Sequence, residues 1–166
     1  MPASVLLAAV IRSAAETVVD QALGGQIRVL RASESAAVIA LWRSTVLTRP
    51  WNPPEEDFRR AVDGPTSAVL GGFVGDELVA TAMVGHDGHR GWIYYLAVDP
   101  SRQRNDLGTA MTTAAEAWLA EQGAVKVQLM VRRSNEPARA FYEHLGYEEA
   151  DVIVLARWIT PPDSAK

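Results

Sequence analysis

The chain has 166 residues, of which 48% are hydrophobic and 22% charged, and its net charge is -4. It is long enough to bury a substantial core, and its overall charge balance indicates no basic face for nucleic acid. Because it contains no cysteine, disulfides, thiolate metal sites and a cysteine nucleophile are excluded; this is compatible with the cytoplasmic location that we predict.

An apolar run over residues 5–11 is far too short to span a bilayer. No Lys or Arg precedes it, as a secretory signal would require, so we favour a structural element over export and expect no membrane partner. Apolar residues recur at helical spacing through this region. We therefore predict an amphipathic helix over residues 3–23, in an N-terminal extension of residues 1–25 that packs on the domain or serves as a homodimer element.

From residue 26 onward, strand patterns alternate with helix patterns. Gly75 and Asp76 form a two-residue hairpin signal between two alternating apolar runs, which predicts an antiparallel meander continued by a third strand. The pattern as a whole predicts an α+β, or mixed α/β, domain over residues 26–160 with a polar tail at 161–166. The predicted strands are 27–30, 67–74, 77–85, 92–98, 125–131 and 151–159, and the predicted helices follow Ser33 or span 55–62, 107–122 and 136–145.

The stretch 98–111 carries the strongest local signal in the chain. A predicted strand ends, a polar and basic turn follows, and a long helix begins. Free backbone N–H groups at a helix start form an anion site; Arg102 and Arg104 add positive charge, and Gly108 lets the backbone approach a ligand. Neither the P-loop motif nor the dinucleotide fingerprint is present. By itself the pattern indicates a phosphate site or a solvated basic turn with equal weight.

Two motifs resemble those of the GNAT acyltransferases. Gln103, Asp106 and Gly108 take the first, fourth and sixth positions of the family's Q/R-x-x-G-x-G/A turn. Asn135 to Tyr147 is similar to the family's N-x-x-A-x-x-F-Y-x-x-x-G-[FY] helix, and the segments RPWN at 49–52 and DGHRG at 87–91 are similar to those of a little-characterised bacterial subgroup. The resemblance implies a GNAT-like three-layer fold, in which helices flank a central, mostly antiparallel twisted sheet.

The resemblance also implies acetyl-CoA as cosubstrate. Backbone groups of the fourth strand would hold the pantetheine arm and polarise the thioester carbonyl, the turn would hold the pyrophosphate, and Asn135 would contact the cofactor arm. Tyr142 would protonate the departing thiolate, since a phenol is neutral at pH 7; from the residues alone it is more simply a packed helix tyrosine. The implied cofactor-binding residues are Leu96, Ala97, Val98, Gln103, Arg104, Asn105, Asp106, Leu107, Gly108, Thr109, Asn135 and Tyr142.

The general base is not evident, because the predicted strand at 92–98 contains no carboxylate. His86 and His89 lie just before it and have a suitable pKa, and Tyr94 could relay a proton through water. A polar hairpin turn explains this segment more simply, and substrate amines can also lose a proton with little help. Three histidines without cysteine indicate no metal site.

The acceptor cannot be identified from the sequence. Arg49 and Trp51 are candidate pocket residues, although Trp51 is equally a loop anchor, and Asp87 and Arg90 are further candidates. The charged residues at 55–60 are most simply a solvated helix face. A small-molecule or peptide amine is the expected partner.

The most informative departure from the family pattern is Asp106, which stands where the family usually has glycine. Asp accepts left-handed backbone better than most residues, but its carboxylate would repel a pyrophosphate. We predict an acetyl-CoA-dependent N-acetyltransferase that acts on a primary amine by direct attack. The alternative is a CoA-binding domain of this fold with little or no catalysis, a regulatory domain or pseudoenzyme, which Asp106 and the missing strand carboxylate favour.

Overall fold

A computed structural model describes residues 25–161 of the protein, in two compact units that meet in sequence at residues 129 and 130. The predicted helix over residues 3–23 and the tail after residue 161 lie outside the described residues. Within the described ranges, no helix has the length and apolar character needed to cross a membrane. That residues 26–160 form a single domain stays a prediction.

The first unit contains a five-stranded sheet whose strands lie in chain order. The first four strands are antiparallel, as the predicted meander requires, and the fifth runs parallel to the fourth. Gly75 adopts the left-handed φ of 58° that a tight two-residue hairpin favours. The strands are β1 (Gln26–Val29), β2 (Ser67–Val74), β3 (Glu77–His86), β4 (Gly91–Val98) and β5 (Val127–Leu129).

Helices cover both faces of this sheet. On one face, Trp42 and Phe58 pack against Val69, and on the other, Met111 and Leu119 belong to the core formed with alternate residues of the central strands. This arrangement arises because successive strand side chains point to opposite faces and each face must be buried. The mixed α+β, three-layer fold is confirmed. The helices are α1 (Ser35–Ser44) and α2 (Pro54–Asp63) on the first face and α3 (Leu107–Glu121) on the second.

A charged cluster ties β1 to the turn that precedes α1. Arg28 donates to both carboxylate oxygens of Glu34, at 3.0 and 2.7 Å, and the backbone N–H of Arg31 donates to the same carboxylate at 2.8 Å. These hydrogen bonds, the one from Arg28 first, lower the pKa of Glu34 to about 2. The cluster therefore stabilises the fold above the ordinary glutamate pKa, and this stabilisation is lost as the pH falls towards 2.

We expect Glu34→Gln to lower the free energy of unfolding by about 1 kcal/mol at neutral pH, because the cluster is partly exposed and screened. Urea unfolding at a series of pH values should show this loss shrinking below the ordinary glutamate pKa. Glu55→Gln is the matched control, since Glu55 pairs with Arg43 on an exposed surface and its loss should be close to zero. A loss for Glu34→Gln that stays constant with pH would contradict the assignment.

The second unit, residues 130–161, contains one regular element, α4 (Glu136–His144), within its described residues. The Asn135 side chain caps this helix by accepting a hydrogen bond from the N–H of Ala138 at 3.3 Å. Gly146, with a φ of 87°, follows the helix end in the left-handed conformation that helix termination favours. The helix predicted at 136–145 is thus confirmed from Glu136, and it ends one residue earlier, at His144.

The predicted strand at 151–159 is wrong: the structure shows irregular backbone there. Val152 to Leu155 have high β-propensity, but their side chains are mostly exposed. A strand needs the backbone of a neighbouring strand, and propensity alone does not supply it. The strand predicted at 125–131 is likewise shorter, because pairing with β4 extends only over Val127–Leu129.

Candidate active site

A bulge interrupts β4 near its centre. On β3, Thr81 and Met83 are two positions apart, whereas their partners on β4, Ala97 and Tyr94, are three positions apart. Tyr95 lies in this interval and has a φ of 49°, in the left-handed region that non-glycine residues rarely adopt. A bulge of this kind bends its strand and redirects the side chains around it.

Within the first unit, the edge of β4 that faces β5 has no strand partner beyond the bulge. β4 and β5 pair over Gly91–Ile93, and no other described residue of this unit continues the pairing along Tyr94 to Val98. Backbone N–H and C=O groups on this edge can therefore bind the amides of an extended ligand. Of the three residues predicted to hold the pantetheine arm, Leu96 and Val98 turn their backbone groups towards this edge, whereas Ala97 pairs with Thr81 on β3.

The turn after β4 ends in a helix start without a side-chain cap. Asp106 occupies the N-cap position of α3 in left-handed conformation, with a φ of 58°, and its carboxylate makes no capping hydrogen bond. The N–H groups of Leu107, Gly108 and Thr109 therefore have no side-chain cap, as an anion site at a helix start requires. The left-handed backbone predicted for Asp106 is confirmed, and Arg104 shares it with a φ of 64°.

Side chains of the turn hold its shape. Gln103 donates to the carbonyl of Val98 at 3.3 Å, and Asn105 donates to the carbonyl of Arg102 at 3.3 Å. Arg102 is paired with Glu77 at 2.6 Å. The side chains of Gln103 and Asn105 therefore stabilise the turn, which leaves their backbone groups for a ligand. Arg104 is the arginine of this turn whose side chain is exposed.

A cleft of about 360 Å³ lies in the first unit, beside the bulge of β4. Its volume is at the small end of the roughly 300–1,000 Å³ typical of ligand sites. Ala61, Met83, Tyr94 and Tyr95 supply its apolar and aromatic lining, and its polar or charged lining residues are Asn52, Asp57, Arg60 and Ser67.

A buried chain of contacts fixes the floor of this cleft. The indole N–H of Trp42 donates to Oγ1 of Thr81 at 2.9 Å, and the Trp42 ring stacks on Tyr95 with centroids 4.1 Å apart. The Tyr95 hydroxyl donates to Oδ2 of Asp57 at 2.7 Å. Burial, and then the hydrogen bond to Asp57, raise the pKa of Tyr95 well above its ordinary value, so this hydroxyl keeps its proton.

The connection between β3 and β4 has a structural role. Asp87 accepts hydrogen bonds from the N–H groups of His89 and Arg90, at 2.8 and 2.6 Å, and from the indole of Trp92 at 3.0 Å. These bonds, the one from Arg90 first, hold the pKa of Asp87 far below its ordinary range. The hydrogen bonds of Asp87 therefore agree with the simpler interpretation of this segment, a polar hairpin turn.

Only some of the other residues predicted to bind the acceptor or to act as the general base lie at the cleft. Among the described residues that line the cleft, Tyr94 is present, but His86, His89, Arg49 and Trp51 are not. Arg49 donates to the carbonyls of Val46 and Thr48, both at 2.8 Å, and its neighbour Asn52 reaches the cleft instead. Burial, and then the charge of Asp87, raise the pKa of Tyr94.

In the second unit, Tyr142 sits in a cluster of three aromatic rings. Its centroid lies 5.0 Å from that of Phe141 and 5.5 Å from that of Tyr147, both edge to face. Burial raises the pKa of Tyr142 to about 12. Its hydroxyl therefore carries a proton throughout the physiological range, as a proton donor must.

The sequence interpretation missed Asp57 and Arg60, which it assigned to a solvated helix face. The side chain of Asp57 is only 19% exposed, and both residues line the cleft. A signal was available: Asp57 lies three residues after buried Pro54 and four before buried Ala61, on the helix face that packs inward.

Comparison with known proteins agrees with this geometry. Residues 36–147 match the acetyltransferase (GNAT) family. An aminoglycoside acetyltransferase, meta-AAC0020, from an uncultured soil metagenomic sample is 18% identical with a TM-score of 0.68, covering 82% of this chain and 97% of its own. A ribosomal-protein-alanine N-acetyltransferase from Brucella melitensis biovar Abortus 2308 is 18% identical with a TM-score of 0.65, covering 81% and 99%.

A third structure, the aminoglycoside N-acetyltransferase AAC(6')-Iy in complex with CoA, is 15% identical with a TM-score of 0.69, covering 81% of this chain and 95% of its own. At these identities the three structures establish the shared fold. Because the family match extends over most of the chain, the protein belongs to the acetyltransferase (GNAT) family. It is an N-acetyltransferase whose cosubstrate is acetyl-CoA, and the uncapped start of α3 fits the pyrophosphate of that molecule.

Asp106 gives a direct test of the predicted pyrophosphate site. We expect Asp106→Gly to tighten CoA binding several-fold in calorimetry, because it removes a negative charge from an anion site and relaxes a left-handed residue. Asp106→Asn separates the two effects, since Asn tolerates the same backbone but carries no charge. Unchanged or weaker affinity in both variants would show that the carboxylate does not oppose the cofactor.

Proposed function

We propose that this protein transfers the acetyl group of acetyl-CoA to a primary amine by direct attack. The amine nitrogen forms a bond to the thioester carbonyl carbon, the carbon–sulfur bond breaks, and CoA leaves as a thiolate that takes up a proton. The absence of cysteine supports a mechanism without a thioester intermediate on the enzyme.

The observation that carries the proposal is the position of the cleft on the bulge of β4. Tyr94 and Tyr95 line the cleft, while the backbone that continues from them to Val98 forms the open edge proposed to hold the pantetheine arm. An amine in the cleft would thus stand beside a thioester on that edge. Orientation of this kind supplies much of the rate enhancement of acyl transfer.

Two residues of the second unit receive roles from the family motif. Tyr142 is proposed to protonate the thiolate of CoA, and Asn135 is proposed to contact the cofactor arm. The raised pKa of Tyr142 keeps its hydroxyl protonated at neutral pH, and it also makes this hydroxyl a weaker acid than an ordinary tyrosine. The side chain of Asn135 also caps α4, so its substitution would affect the helix as well as the cofactor.

For proton removal from the amine, we favour Tyr94 as a relay to water over His86 and His89, because Tyr94 lines the cleft. The acceptor is proposed to be a small molecule or a peptide amine. We further propose a cytoplasmic protein without nucleic-acid or membrane partners, in which the N-terminal extension contributes to a homodimer.

The experiment that tests the function measures release of the CoA thiol from acetyl-CoA with a panel of primary amines. We expect release that depends on the amine and produces a stoichiometric N-acetyl product. Tight binding of CoA without turnover on any amine would favour the alternative, a CoA-binding domain with little or no catalysis.

A further inference from the structure

The charges that line the cleft are balanced, which restricts the acceptor. Within the described lining, Asp57 supplies one carboxylate and Arg60 one guanidinium. A polycationic amine gains no net attraction from such a pair, whereas a ligand with one charge of each sign can complement both.

Asp57 has one oxygen engaged and the other loosely held. Its Oδ2 accepts the short hydrogen bond from Tyr95 at 2.7 Å, which fixes the carboxylate against the bulge. Its Oδ1 is 3.3 Å from Arg60, longer than the roughly 2.7–2.9 Å of a strong charge-assisted bond. Oδ1 can therefore take a better donor, and an ammonium group is such a donor.

Arg60 is weakly held by its neighbours on α2. Its guanidinium lies 3.3 Å from Asp57 and 3.9 Å from Glu56, and its side chain is 62% exposed. Glu56 makes its shorter contact, 3.0 Å, with Arg59. The planar fork of Arg60 is therefore available to a carboxylate, the group whose geometry it matches.

We propose that the cleft binds a zwitterionic acceptor of the α-amino acid class, with its ammonium on Asp57 and its carboxylate on Arg60. The two groups of such a ligand are adjacent, so it can insert between the loosely paired side chains and replace one long contact with two short ones. Met83 and Tyr94 would contact its side chain. This assignment rests on the proposed function, because it takes the cleft to be the acceptor site.

The test uses three matched probes: L-leucine, L-leucinamide and 3-methylbutylamine, which share a side chain and an amine but differ in the carboxylate. Each is titrated calorimetrically into the full chain in the presence of CoA. We expect L-leucine to bind about tenfold more tightly than the other two. Arg60→Gln should remove this preference, and Asp57→Asn should weaken L-leucine and 3-methylbutylamine alike.

Arg43→Gln is the control, because Arg43 is an exposed arginine that pairs with Glu55 and lies outside the cleft lining. It should keep the wild-type order of affinities. Equal binding of the three probes, or a preference that survives Arg60→Gln, would overturn the proposal. Thiol release measured with the same probes tests the proposed function separately, since the order of binding does not depend on turnover.

Discussion

Replacing Tyr142 by Phe should lower the turnover number roughly 10²-fold or more, the usual contribution of a positioned general acid. The affinity for CoA should change little, because the substitution removes one hydroxyl and keeps the ring that packs against Phe141 and Tyr147. Steady-state kinetics and calorimetry together separate the two quantities. A loss confined to turnover would identify an interaction made in the transition state.

Tyr147→Phe is the matched control, since Tyr147 belongs to the same aromatic cluster. Its turnover should stay close to that of the unmodified protein. Because burial raises the pKa of Tyr142 to about 12, the unmodified protein should also show no loss of the acid's proton as the pH rises to about 10. Equal turnover of the Tyr142→Phe and Tyr147→Phe variants would remove the acid role.

Truncation of Trp42 to Ala should have the largest effect on stability, about 3–5 kcal/mol of the free energy of unfolding. Trp42 is fully buried, stacks on Tyr95 and donates to Thr81, so its loss leaves a cavity and removes the hydrogen bond that the Thr81 hydroxyl accepts. That hydroxyl keeps the bond that it donates to the carbonyl of Tyr95. Urea unfolding measures the change. The milder Trp42→Phe variant keeps a ring in the core and allows activity to be assayed on folded protein.

Trp51→Ala is the control for this prediction, because Trp51 is 43% exposed in the loop before α2. Its effect on the free energy of unfolding should stay within about 0.5 kcal/mol, as is usual for surface positions. If truncation of Trp42 and of Trp51 cost the same, the buried contacts of Trp42 would not be what holds the bulge.

The sequence predicted well those features that depend on local chemistry. The hairpin at Gly75, the turn around Asp106 and the start and end of α4 follow from the backbone preferences of a few residues. The order of the meander strands was also readable, because alternation within each run and short turns between runs leave few other pairings.

Features that depend on distant contacts were not predictable in the same way. Asp57 and Tyr95 are 38 positions apart in the chain, and no local sequence pattern predicts the hydrogen bond between them. The bulge at Tyr95 is invisible in the sequence for a related reason: nothing in a run of aromatic and apolar residues shows that one of them lacks a partner on β3. The strand wrongly predicted at 151–159 is the opposite case. Its residues have a local preference for extended backbone, but no neighbouring strand in the described part of the chain pairs with them.

Within the first unit, the charged residues that would bind the acceptor and the backbone groups that would hold the cosubstrate lie on different elements. Asp57 and Arg60 belong to α2, a helix of ten residues, whereas the open edge and the uncapped turn belong to β4 and the start of α3. On this proposal, substitutions on one short helix should change which amine is accepted while acetyl-CoA binding is preserved. This modularity gives the protein a route to new substrates in evolution, and it marks α2 as the place to begin in redesigning its specificity.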